Sequence, residues 1–246
     1  MPHVSFLLNG TRTDVSDTAP TRTLLDWLRE DRGLCGTKEG CNEGDCGACS
    51  VMVTDASGSR ALNACILFLP QIDGKAVRTV EGIAAPDGTL HPVQSAMIDH
   101  HGSQCGFCTP GFIVTMAAAH LNGATDHDDQ LAGNLCRCTG YAPILRAAEA
   151  AASEPVPDWM RDSPDFFCSQ VSSGGPGGRQ PSGAAMPRSI DELAHWFAAN
   201  PDATLVAGAT DVGLWVTKDL RDLAPVAFLN AIPDLARIEL QGDYLR

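Results

Sequence analysis

The chain opens with two short segments of mixed apolar and polar residues that flank a turn-forming pair. The segments are Val4–Leu8 and Thr11–Val15, and the pair between them is Asn9-Gly10. Asparagine followed by glycine is typical of a type I′ turn, because both residues accept the positive φ that this turn requires. The pattern therefore predicts a β-hairpin at the start of the fold.

Apolar residues then recur with helical spacing over residues 21–32, where Leu24, Leu25 and Leu28 fall on one face. After a cysteine-rich loop, apolar runs resume around the turn-forming cluster Asp-Ala-Ser-Gly-Ser at 55–59. These runs predict strands at residues 50–54, 61–67 and 77–80. The first third of the chain is thus predicted to form a small mixed sheet crossed by one helix.

From about residue 90 the hydrophobic pattern changes from short strands to helices. The pair Thr109-Pro110 places a helix N-cap before a proline at the first helical position. Pro143 lies in the first turn of an alanine-rich helix. Short connections between such helices favour an up-down bundle. The four predicted helices cover residues 91–101, 112–121, 126–135 and 141–152.

A stretch composed mainly of glycine, serine and proline at residues 172–183 precedes a third segment. Such a composition cannot pack a core and predicts a flexible linker. Beyond it, Ser189 and Glu192 form a capping-box pattern that opens a helix. A short apolar strand at 204–207 then leads into Gly-Ala-Thr-Asp at 208–211, whose backbone N–H groups and hydroxyl have the chemistry to cradle a phosphate.

These changes of pattern divide an α+β chain into four parts. We expect a mixed-sheet domain at 1–82, a helical domain at 83–155, a linker at 156–186 and an incomplete third domain at 187–246. About 60 residues are few for an independent core. We therefore expect that the chain ends at a truncation or a split point within the third domain.

Composition and charge limit the kinds of molecule that the chain is expected to bind. The chain has 246 residues, a formal net charge of −13 and 44% hydrophobic residues. An acidic surface argues against binding a nucleic-acid backbone or an anionic membrane. The N-terminus has no cationic targeting region, and no apolar stretch approaches the roughly 20 residues of a membrane span. We therefore expect a cytoplasmic protein, in which the ten cysteines favour metal ligation over disulfides.

Three cysteines crowd a glycine-rich loop at residues 40–50, and a fourth follows the third after 15 intervening residues. The set is Cys41, Cys46, Cys49 and Cys65. Spacings of four and two residues followed by a distant cysteine are typical of a plant-type [2Fe–2S] cluster. The glycines let the backbone approach closely and point N–H groups at the sulfur atoms. Structural zinc is the alternative, although zinc sites usually use two C-x2-C pairs.

A second cysteine set lies at the predicted helix ends. Its members are Cys105, Cys108, Cys136 and Cys138. Taken alone, this spacing fits zinc as well as an iron–sulfur cluster. Helix N-termini favour anionic centres, and the first set beside it favours a second [2Fe–2S] cluster. Cys35 and Cys168 fall outside both sets and are interpreted as packing or incidental thiols.

Three motifs in combination resemble one family. They are G-T-K-E-G-C-N-E-G-D-C-G-A-C at 36–49, Q-C-G-F-C-T-P-G-F at 104–112 and G-N-L-C-R-C-T-G-Y at 133–141. Together they are similar to the iron–sulfur portion of the molybdenum hydroxylases, of the xanthine dehydrogenase type, and the resemblance covers essentially the whole chain. It implies a β-grasp [2Fe–2S] ferredoxin-like domain, then a four-helix [2Fe–2S] domain, then the start of an FAD-binding domain.

The resemblance also implies roles for individual residues. The cluster at the second set would lie nearest the molybdenum cofactor, and Gln104 would contact the pterin of that cofactor on a separate large subunit. The cluster at the first set would lie nearest FAD. Position 209 is Ala where many relatives carry Gly, so we expect a slight shift of the FAD pyrophosphate loop. That loop would consist of Leu205, Val206, Ala207, Gly208, Ala209, Thr210, Asp211 and Val212.

These implications describe an electron-transfer subunit without a catalytic residue of its own. Hydroxylation of xanthine or hypoxanthine at a partner's molybdenum would supply electrons that pass through two [2Fe–2S] clusters to FAD and then to NAD. The family's second FAD loop and NAD region should follow residue 246, so we expect this chain to bind FAD poorly. Two alternatives stay open: the same relay in a hydroxylase of an aldehyde or another N-heterocycle, and a zinc-stabilised adaptor without redox chemistry.

Overall fold

The computed structural model describes residues 3–162 and 184–245 of the chain. The predicted linker at 172–183, most of the segment 156–186 and Cys168 lie outside the described residues. Among the residues that are described, no helix is both long and apolar enough to cross a membrane. We refer to residues 3–82 as the sheet region, to 83–162 as the helical region and to 184–245 as the third region.

The sheet region begins with the predicted hairpin. β1 (Val4–Leu8) pairs antiparallel with β2 (Thr11–Val15) over their full lengths. Asn9 and Gly10 join them with φ of 50° and 79°. Both values are those of a type I′ turn, in which each central residue has positive φ. The predicted hairpin and its turn are therefore confirmed.

Three further strands complete a five-stranded mixed sheet. They are β3 (Ser50–Asp55), β4 (Gly58–Asn63) and β5 (Ala76–Arg78). The order is β2-β1-β5-β3-β4, and only the central β1–β5 pair is parallel. The strand predicted at 61–67 is wrong in position. β4 starts right after the turn at 56–57, and its last residue, Asn63, pairs with Ser50, the first residue of β3. Residues 64–67 leave the sheet, and carbonyl groups of this segment accept hydrogen bonds from the start of the helix.

One helix crosses the sheet, but it starts later than the predicted residue 21. α1 (Leu24–Asp26) continues directly as a π-helix (Trp27–Asp31). Thr23 is the N-cap, and its side-chain oxygen accepts a hydrogen bond from the N–H of Asp26 at 3.1 Å, which fixes where the helix begins. The predicted apolar face is confirmed by the full burial of Leu24, Leu25 and Leu28.

The helical region contains four α-helices, as predicted. They are α2 (Pro92–Asp99), α3 (Thr109–Leu121), α4 (His127–Leu131) and α5 (Ala142–Ala151). α3 is buried continuously from Gly111 to His120, because it packs on β3 and β4 as well as on the other helices. This central position brings the start of α3 against the cysteine-rich loop of the sheet region.

Two details of the helical prediction are wrong. Cys108, rather than Thr109, occupies the N-cap position of α3. Thr109 already lies inside the helix, and its hydroxyl hydrogen-bonds to Ser103 Oγ at 2.7 Å instead of capping. α4 ends at Leu131 rather than at residue 135, because the residues that follow turn away to contact the sheet region.

The third region begins with a short strand and a capped helix. β6 is Ala184–Ala185 and α6 is Ile190–Ala199. The hydroxyl of Ser189 accepts a hydrogen bond from the N–H of Glu192 at 3.1 Å, so the predicted N-cap is confirmed. The reciprocal half of the capping box is not formed, since the Glu192 carboxylate accepts from the N–H of Arg188 instead.

A parallel sheet forms the core of the third region, in the order β6-β8-β7. Its later elements are β7 (Thr204–Val206), α7 (Val212–Thr217) and β8 (Val226–Phe228). Phe68 of the sheet region completes this core, and its ring centroid lies 6.3 Å from that of Phe228. The third region is therefore packed on the sheet region. Short elements complete the fold: 3-10 helices at Leu69–Ile72, Val80–Gly82, Asp158–Met160 and Pro233–Ala236, and a hairpin of β9 (Leu240–Gln241) and β10 (Tyr244–Leu245).

Candidate metal centres and the adjoining loop of the third region

The loop that carries the first cysteine set turns back on itself between the helix and β3. Positive φ at Asn42, Gly44 and Gly47 produces this path, and glycine accepts such values without strain. As a result, backbone N–H groups of the loop point inward at sulfur atoms of the set. The hydrogen bonds run from Gly44 N to Cys65 Sγ (3.3 Å), from Cys46 N to Cys41 Sγ (3.3 Å), from Asp45 N to Cys41 Sγ (3.4 Å) and from Cys41 N to Cys46 Sγ (3.4 Å).

Gly40 shows why the loop needs glycine where it approaches the sulfur atoms. A Cβ atom built on Gly40 would lie 2.7 Å from Cys46 Sγ, which is closer than two non-bonded atoms can approach. Because no side chain fits here, the backbone itself reaches the sulfur. N–H dipoles at this range stabilise the negative charge that the sulfur atoms of an iron–sulfur cluster carry.

The pKa shifts show which thiols of the first set lie side by side. Cys49 and Cys65 are buried, and the hydrogen bond between them lowers the pKa of Cys49 and raises the pKa of Cys65. Burial raises the pKa of Cys41, but hydrogen bonds from the loop backbone outweigh it and leave that pKa lowered. Burial also raises the pKa of Cys46, and the neighbouring Cys41 adds to this rise. The four thiols thus form two pairs, Cys41 with Cys46 and Cys49 with Cys65.

The second cysteine set lies close to the N-terminal ends of α3 and α5. Cys108 is the N-cap of α3, and Cys138 comes three residues before Tyr141, the N-cap of α5. Cys136 is buried, whereas Cys105 and Cys138 are exposed. The predicted position at helix ends is therefore confirmed, and the positive ends of both helix dipoles lie near the thiols.

The second set also forms two thiol pairs. A backbone N–H of its own loop and then Cys138 lower the pKa of Cys105, and the same contact raises the pKa of Cys138. Burial and then Cys136 raise the pKa of Cys108 to about 12. Burial raises the pKa of Cys136 as well, but hydrogen bonds from Thr139 leave it lowered. The Thr139 hydroxyl lies 3.2 Å from Cys136 Sγ.

Thiols arranged in pairs fit a two-iron cluster better than a single metal ion. In a [2Fe–2S] cluster, four cysteines divide between two irons that share the sulfides. A zinc ion instead needs four ligands that converge on one point. The paired thiols and their backbone donors therefore fit one [2Fe–2S] cluster at each set.

The two cysteine loops contact each other directly. The N–H of Leu135 donates to the carbonyl oxygen of Cys46 at 2.9 Å. Asn134 is 4% exposed, and its Nδ2 donates to the carbonyl oxygen of Gly47 at 3.0 Å. A Cβ atom on Gly111, in the first turn of α3, would lie 2.1 Å from that same Gly47 oxygen. We call this contact, formed by these five residues, the loop joint.

Gly111 and Asn134 lie inside the cysteine motifs, but the cysteine spacing predicts no role for either residue. Glycine is unfavourable in a helix, so Gly111 directly after the helix-starting proline was a usable signal of close backbone approach. Asn134 offered no comparable signal. Its partner is 87 residues away in sequence, and only the packing of α3 on the sheet brings the two together.

Gln104 lies on the exposed side of the second set. Cys105 beside it is exposed as well. The large apolar side chains of Phe107 and Leu135 are 48% and 51% exposed. Exposed apolar side chains grouped at one site are typical of a surface that another chain covers. The second set is therefore accessible from outside the chain.

The predicted FAD loop connects β7 to α7. Its exposed residues are Leu205, Ala207, Gly208, Thr210 and Asp211. Ala209 is buried and has φ of 60°, a conformation that favours glycine. Gln71 of the sheet region holds the loop, because its Nε2 donates to the carbonyl oxygen of Ala207 at 2.8 Å. The loop thus presents backbone to solvent while it is anchored on the sheet region.

The third region also covers the first cysteine loop. Gly213, in α7, packs on Ile66, and a Cβ atom at position 213 would lie 3.0 Å from the Ile66 Cβ. Lys218, just after α7, donates a hydrogen bond to the carbonyl oxygen of Cys41. The first set is therefore enclosed by the third region on one side and by the helical region on the other.

Three family profiles match the chain in succession. One described as a 2Fe-2S iron-sulfur cluster binding domain matches residues 6–69, and one described as a [2Fe-2S] binding domain matches residues 79–149. The profile of the FAD binding domain in molybdopterin dehydrogenase matches residues 180–246. These matches confirm the predicted order, in which two [2Fe–2S] domains are followed by the start of an FAD-binding domain. They also confirm the predicted α+β fold class.

Comparison with a solved structure fixes the family. Quinoline 2-oxidoreductase from Pseudomonas putida 86 is 35% identical over 61% of this chain and 93% of its own, with a TM-score of 0.55. This chain belongs to the molybdenum hydroxylase family. Aldehyde oxidoreductase from Desulfovibrio gigas is 34% identical over 68% of this chain and 19% of its own, with a TM-score of 0.57.

Curated relatives in this family are much longer than the chain. Xanthine dehydrogenase from Calliphora vicina is 46% identical in an alignment 159 residues long, and the match covers 61% of this chain and 12% of that protein. Aldehyde oxidase 1 from Oryctolagus cuniculus is 44% identical in an alignment 177 residues long, and the match covers 68% of this chain and 13% of that protein. The family resemblance is confirmed, whereas the domain boundaries and the individual ligands stay predictions.

Proposed function

We propose that the chain is the electron-transfer part of an oxidoreductase of the xanthine dehydrogenase type and is not active alone. A [2Fe–2S] cluster takes up and releases one electron at a time. The observation that carries the proposal is the loop joint, in which Leu135 N donates to the Cys46 oxygen at 2.9 Å. The ligands of one cluster would be Cys41, Cys46, Cys49 and Cys65, and those of the other Cys105, Cys108, Cys136 and Cys138.

The surroundings of the two sets support an order of transfer. Gln104 and Cys105 are exposed, so we assign the second set and its pterin contact to the side of a large molybdopterin-binding partner. The third region covers the first set and carries the loop at 205–212, so we assign the first set to the FAD side. Electrons would enter at the second set and leave at the first, with NAD as the final acceptor of the complex.

The three regions also support a division of the chain into domains. The proposed boundaries are 1–82 and 83–155 for the two cluster domains, 156–186 for the linker and 187–246 for the FAD-binding part. Thiolate ligands favour a reducing compartment, which is why we propose the cytoplasm as the location. The net charge of −13 makes nucleic acid and anionic membranes unfavourable partners.

For the substrate we propose xanthine or hypoxanthine, hydroxylated at the partner's molybdenum site. Identity of 46% with a xanthine dehydrogenase supports this choice. A second candidate is another N-heterocycle or an aldehyde, favoured by the 93% coverage of quinoline 2-oxidoreductase and by the likeness to aldehyde oxidase 1. Anaerobic mixing of the complete complex with xanthine, quinoline or an aldehyde, followed by EPR of the chain, distinguishes them by which compound reduces the clusters.

Cofactor analysis tests the relay itself. Two [2Fe–2S] clusters require about four iron and four acid-labile sulfide per chain, and we expect these amounts in the purified chain. The bound metal and sulfide are measured by elemental analysis and a colorimetric sulfide assay. Zinc without sulfide would instead support the adaptor alternative and end the relay proposal.

Alanine variants test the ligand assignment. We expect Cys46→Ala to remove the EPR signal of the first cluster and Cys138→Ala to remove that of the second. Cys35→Ala is the matched control, because Cys35 is exposed and belongs to neither set. Retention of both signals in Cys46→Ala would show that the first set is assigned wrongly.

A further inference from the structure

Lys218 brings a positive charge from the third region onto the first cysteine loop. Its ammonium group donates a hydrogen bond to the carbonyl oxygen of Cys41 and lies 3.5 Å from Glu43 Oε2. The bonded pair is 177 residues apart in sequence. The contact therefore exists only while the third region is docked on the sheet region.

The charge of Lys218 lies close to a proposed ligand sulfur. Bond lengths limit the separation of the Cys41 carbonyl oxygen from its own Sγ to about 5 Å, so the ammonium lies within about 8 Å of that sulfur. The Debye length at physiological ionic strength is also about 8 Å. The Lys218 side chain is 41% exposed, so solvent weakens the interaction without abolishing it.

We propose that Lys218 raises the reduction potential of the first cluster and so couples that potential to docking of the third region. This inference rests on the proposed function, since it needs a [2Fe–2S] cluster at Cys41. One-electron reduction adds negative charge to the cluster, and a nearby cation stabilises the reduced form more than the oxidised form. Docking of the third region therefore favours collection of electrons at the first set, on the FAD side.

Glu43 limits this effect without cancelling it. Its carboxylate is the ion-pair partner of Lys218 and follows Cys41 by two residues, so its own charge lowers the potential. When the third region docks, the lysine neutralises that carboxylate and also adds the hydrogen bond to the Cys41 oxygen. The two side chains therefore act on the first cluster with opposite signs.

Docking itself does not depend on Lys218. Phe68 and Phe228 pack with ring centroids 6.3 Å apart in the core of the third region, and Gly213 packs against Ile66. Phe68 and Phe228 are fully buried, whereas the ion pair of Lys218 with Glu43 is largely exposed, and exposed ion pairs contribute little to stability. A neutral residue at position 218 removes the charge while the third region stays in place.

An EPR-monitored redox titration of the full chain with both clusters tests the proposal. We expect Lys218→Gln to lower the reduction potential of the first cluster by about 28 mV or more. For a one-electron couple, this shift is about a threefold fall in the equilibrium constant for reduction. The second cluster serves as the internal reference and should keep its potential. Lys218→Arg should retain the wild-type value. Arg237→Gln is the matched control, since it removes the same charge from the third region at an ion pair with Asp234.

A variant that should shift the potential of the first cluster in the opposite direction provides a second check. Glu43→Gln should raise the potential of the first cluster, and the double variant with Lys218→Gln should return it toward wild type. An unchanged first-cluster potential in Lys218→Gln, or an equal shift of both clusters, would overturn the inference. If wild-type protein instead shows no [2Fe–2S] signal at all, the proposed function fails, and the two failures are thus distinguishable.

Discussion

The two cysteine sets are built in opposite ways. The first set is enclosed: Cys49 and Cys65 are buried, four backbone N–H groups point at its sulfur atoms, and both neighbouring regions pack on its loop. The second set is open, because Cys105 and Cys138 are exposed. An enclosed set suits exchange of electrons within the chain, whereas an open set suits exchange with a partner.

The supporting structures of the two sets differ as well. A glycine-rich loop holds the first set, whereas helix N-termini and one threonine hydroxyl support the second. Only the loop joint belongs to both. Substitutions that break the contacts of the joint should therefore disturb both sets. Cys46 takes part only through its backbone oxygen, so substitution of its side chain, like substitutions elsewhere, should affect one set and leave the other as an internal reference.

The largest effect is expected from a side chain forced into the loop joint. Gly111→Val would place a Cβ atom 2.1 Å from the Gly47 oxygen, a backbone atom that cannot move aside without breaking the contact between the loops. We expect a loss of more than about 3 kcal/mol in the free energy of unfolding, measured by chemical denaturation, together with disturbed EPR signals from both clusters.

Gly133→Ala is the control for this variant. No atom lies within 4 Å of a Cβ at Gly133, and its φ is not positive. Its free energy of unfolding should change by no more than about 0.5 kcal/mol. If the Gly111 and Gly133 variants were equally stable, the close contact between the loops would be contradicted.

A buried histidine should make the helical region sensitive to acid. His91 is fully buried at the N-cap of α2, where its Nδ1 accepts from the N–H of Val93 at 3.2 Å, and the ring of His120 lies 5.3 Å away. Burial lowers the pKa of His91 to about 4, against about 6.5 in the unfolded chain. Its contribution to stability is present above pH 6.5 and is lost as the pH falls toward 4, because the unfolded chain binds the proton first.

The variant His91→Asn tests this pH dependence. Asparagine keeps a capping oxygen but does not titrate, so between pH 7.5 and 5 the variant should lose about 2 kcal/mol less stability than wild type. Thermal unfolding across this range measures the difference. His195→Asn, at an exposed position of α6, is the control and should follow wild type. Identical pH profiles for His91→Asn and wild type would refute the prediction.

A smaller effect is expected from the side chain that ties the two loops together. Asn134→Ala removes the amide donor to the buried Gly47 oxygen. That oxygen keeps its hydrogen bonds from the N–H and hydroxyl of Ser50, so we expect the loss of one hydrogen bond, about 1 kcal/mol. Asn122→Ala is the control, because Asn122 also bonds the sheet region, at the Ser59 oxygen (2.8 Å), but at the other end of α3. Denaturation should show the larger loss for Asn134→Ala, and only this variant should change the EPR spectra. Altered spectra in Asn122→Ala would argue against a specific joint.

The smallest effect should be confined to the second set. Thr139→Val removes the hydroxyl that lies 3.2 Å from Cys136 Sγ, and loss of a donor to sulfur lowers a cluster's potential. We expect a fall of about 30 mV for the second cluster, roughly threefold in its equilibrium constant, with no change at the first. Thr139→Ser keeps the hydroxyl and should keep the potential. A redox titration in which Val and Ser behave alike would exclude this role.

Features that depend on short stretches of sequence could be predicted. Asn9-Gly10 requires positive φ at both positions, and this alone fixes the first hairpin. The Ser189 cap follows from a pattern of four residues. The cysteine spacing indicated the iron–sulfur chemistry of the family without knowledge of the fold, because two irons and a tight loop permit few arrangements of ligands.

Features that depend on distant partners could not be predicted. β4 was misplaced because the apolar residues 64–67 pair with the start of the helix instead of the sheet. α4 ends early because Leu135 bonds to Cys46, which lies in another region. Lys218 contacts Cys41 only through the docking of the third region. In each case tertiary packing decides between local conformations that the sequence alone permits.

The proposed relay requires one chain to hold two [2Fe–2S] clusters whose loops are joined through Leu135 and Cys46. The most direct test is low-temperature EPR of the fully reduced chain, in which two neighbouring paramagnetic clusters split or broaden each other's signals. We expect this magnetic interaction in wild type and its loss in Cys46→Ala and in Cys138→Ala, each of which should retain one isolated signal. Two signals without any interaction, or a single signal in the fully reduced wild type, would contradict it.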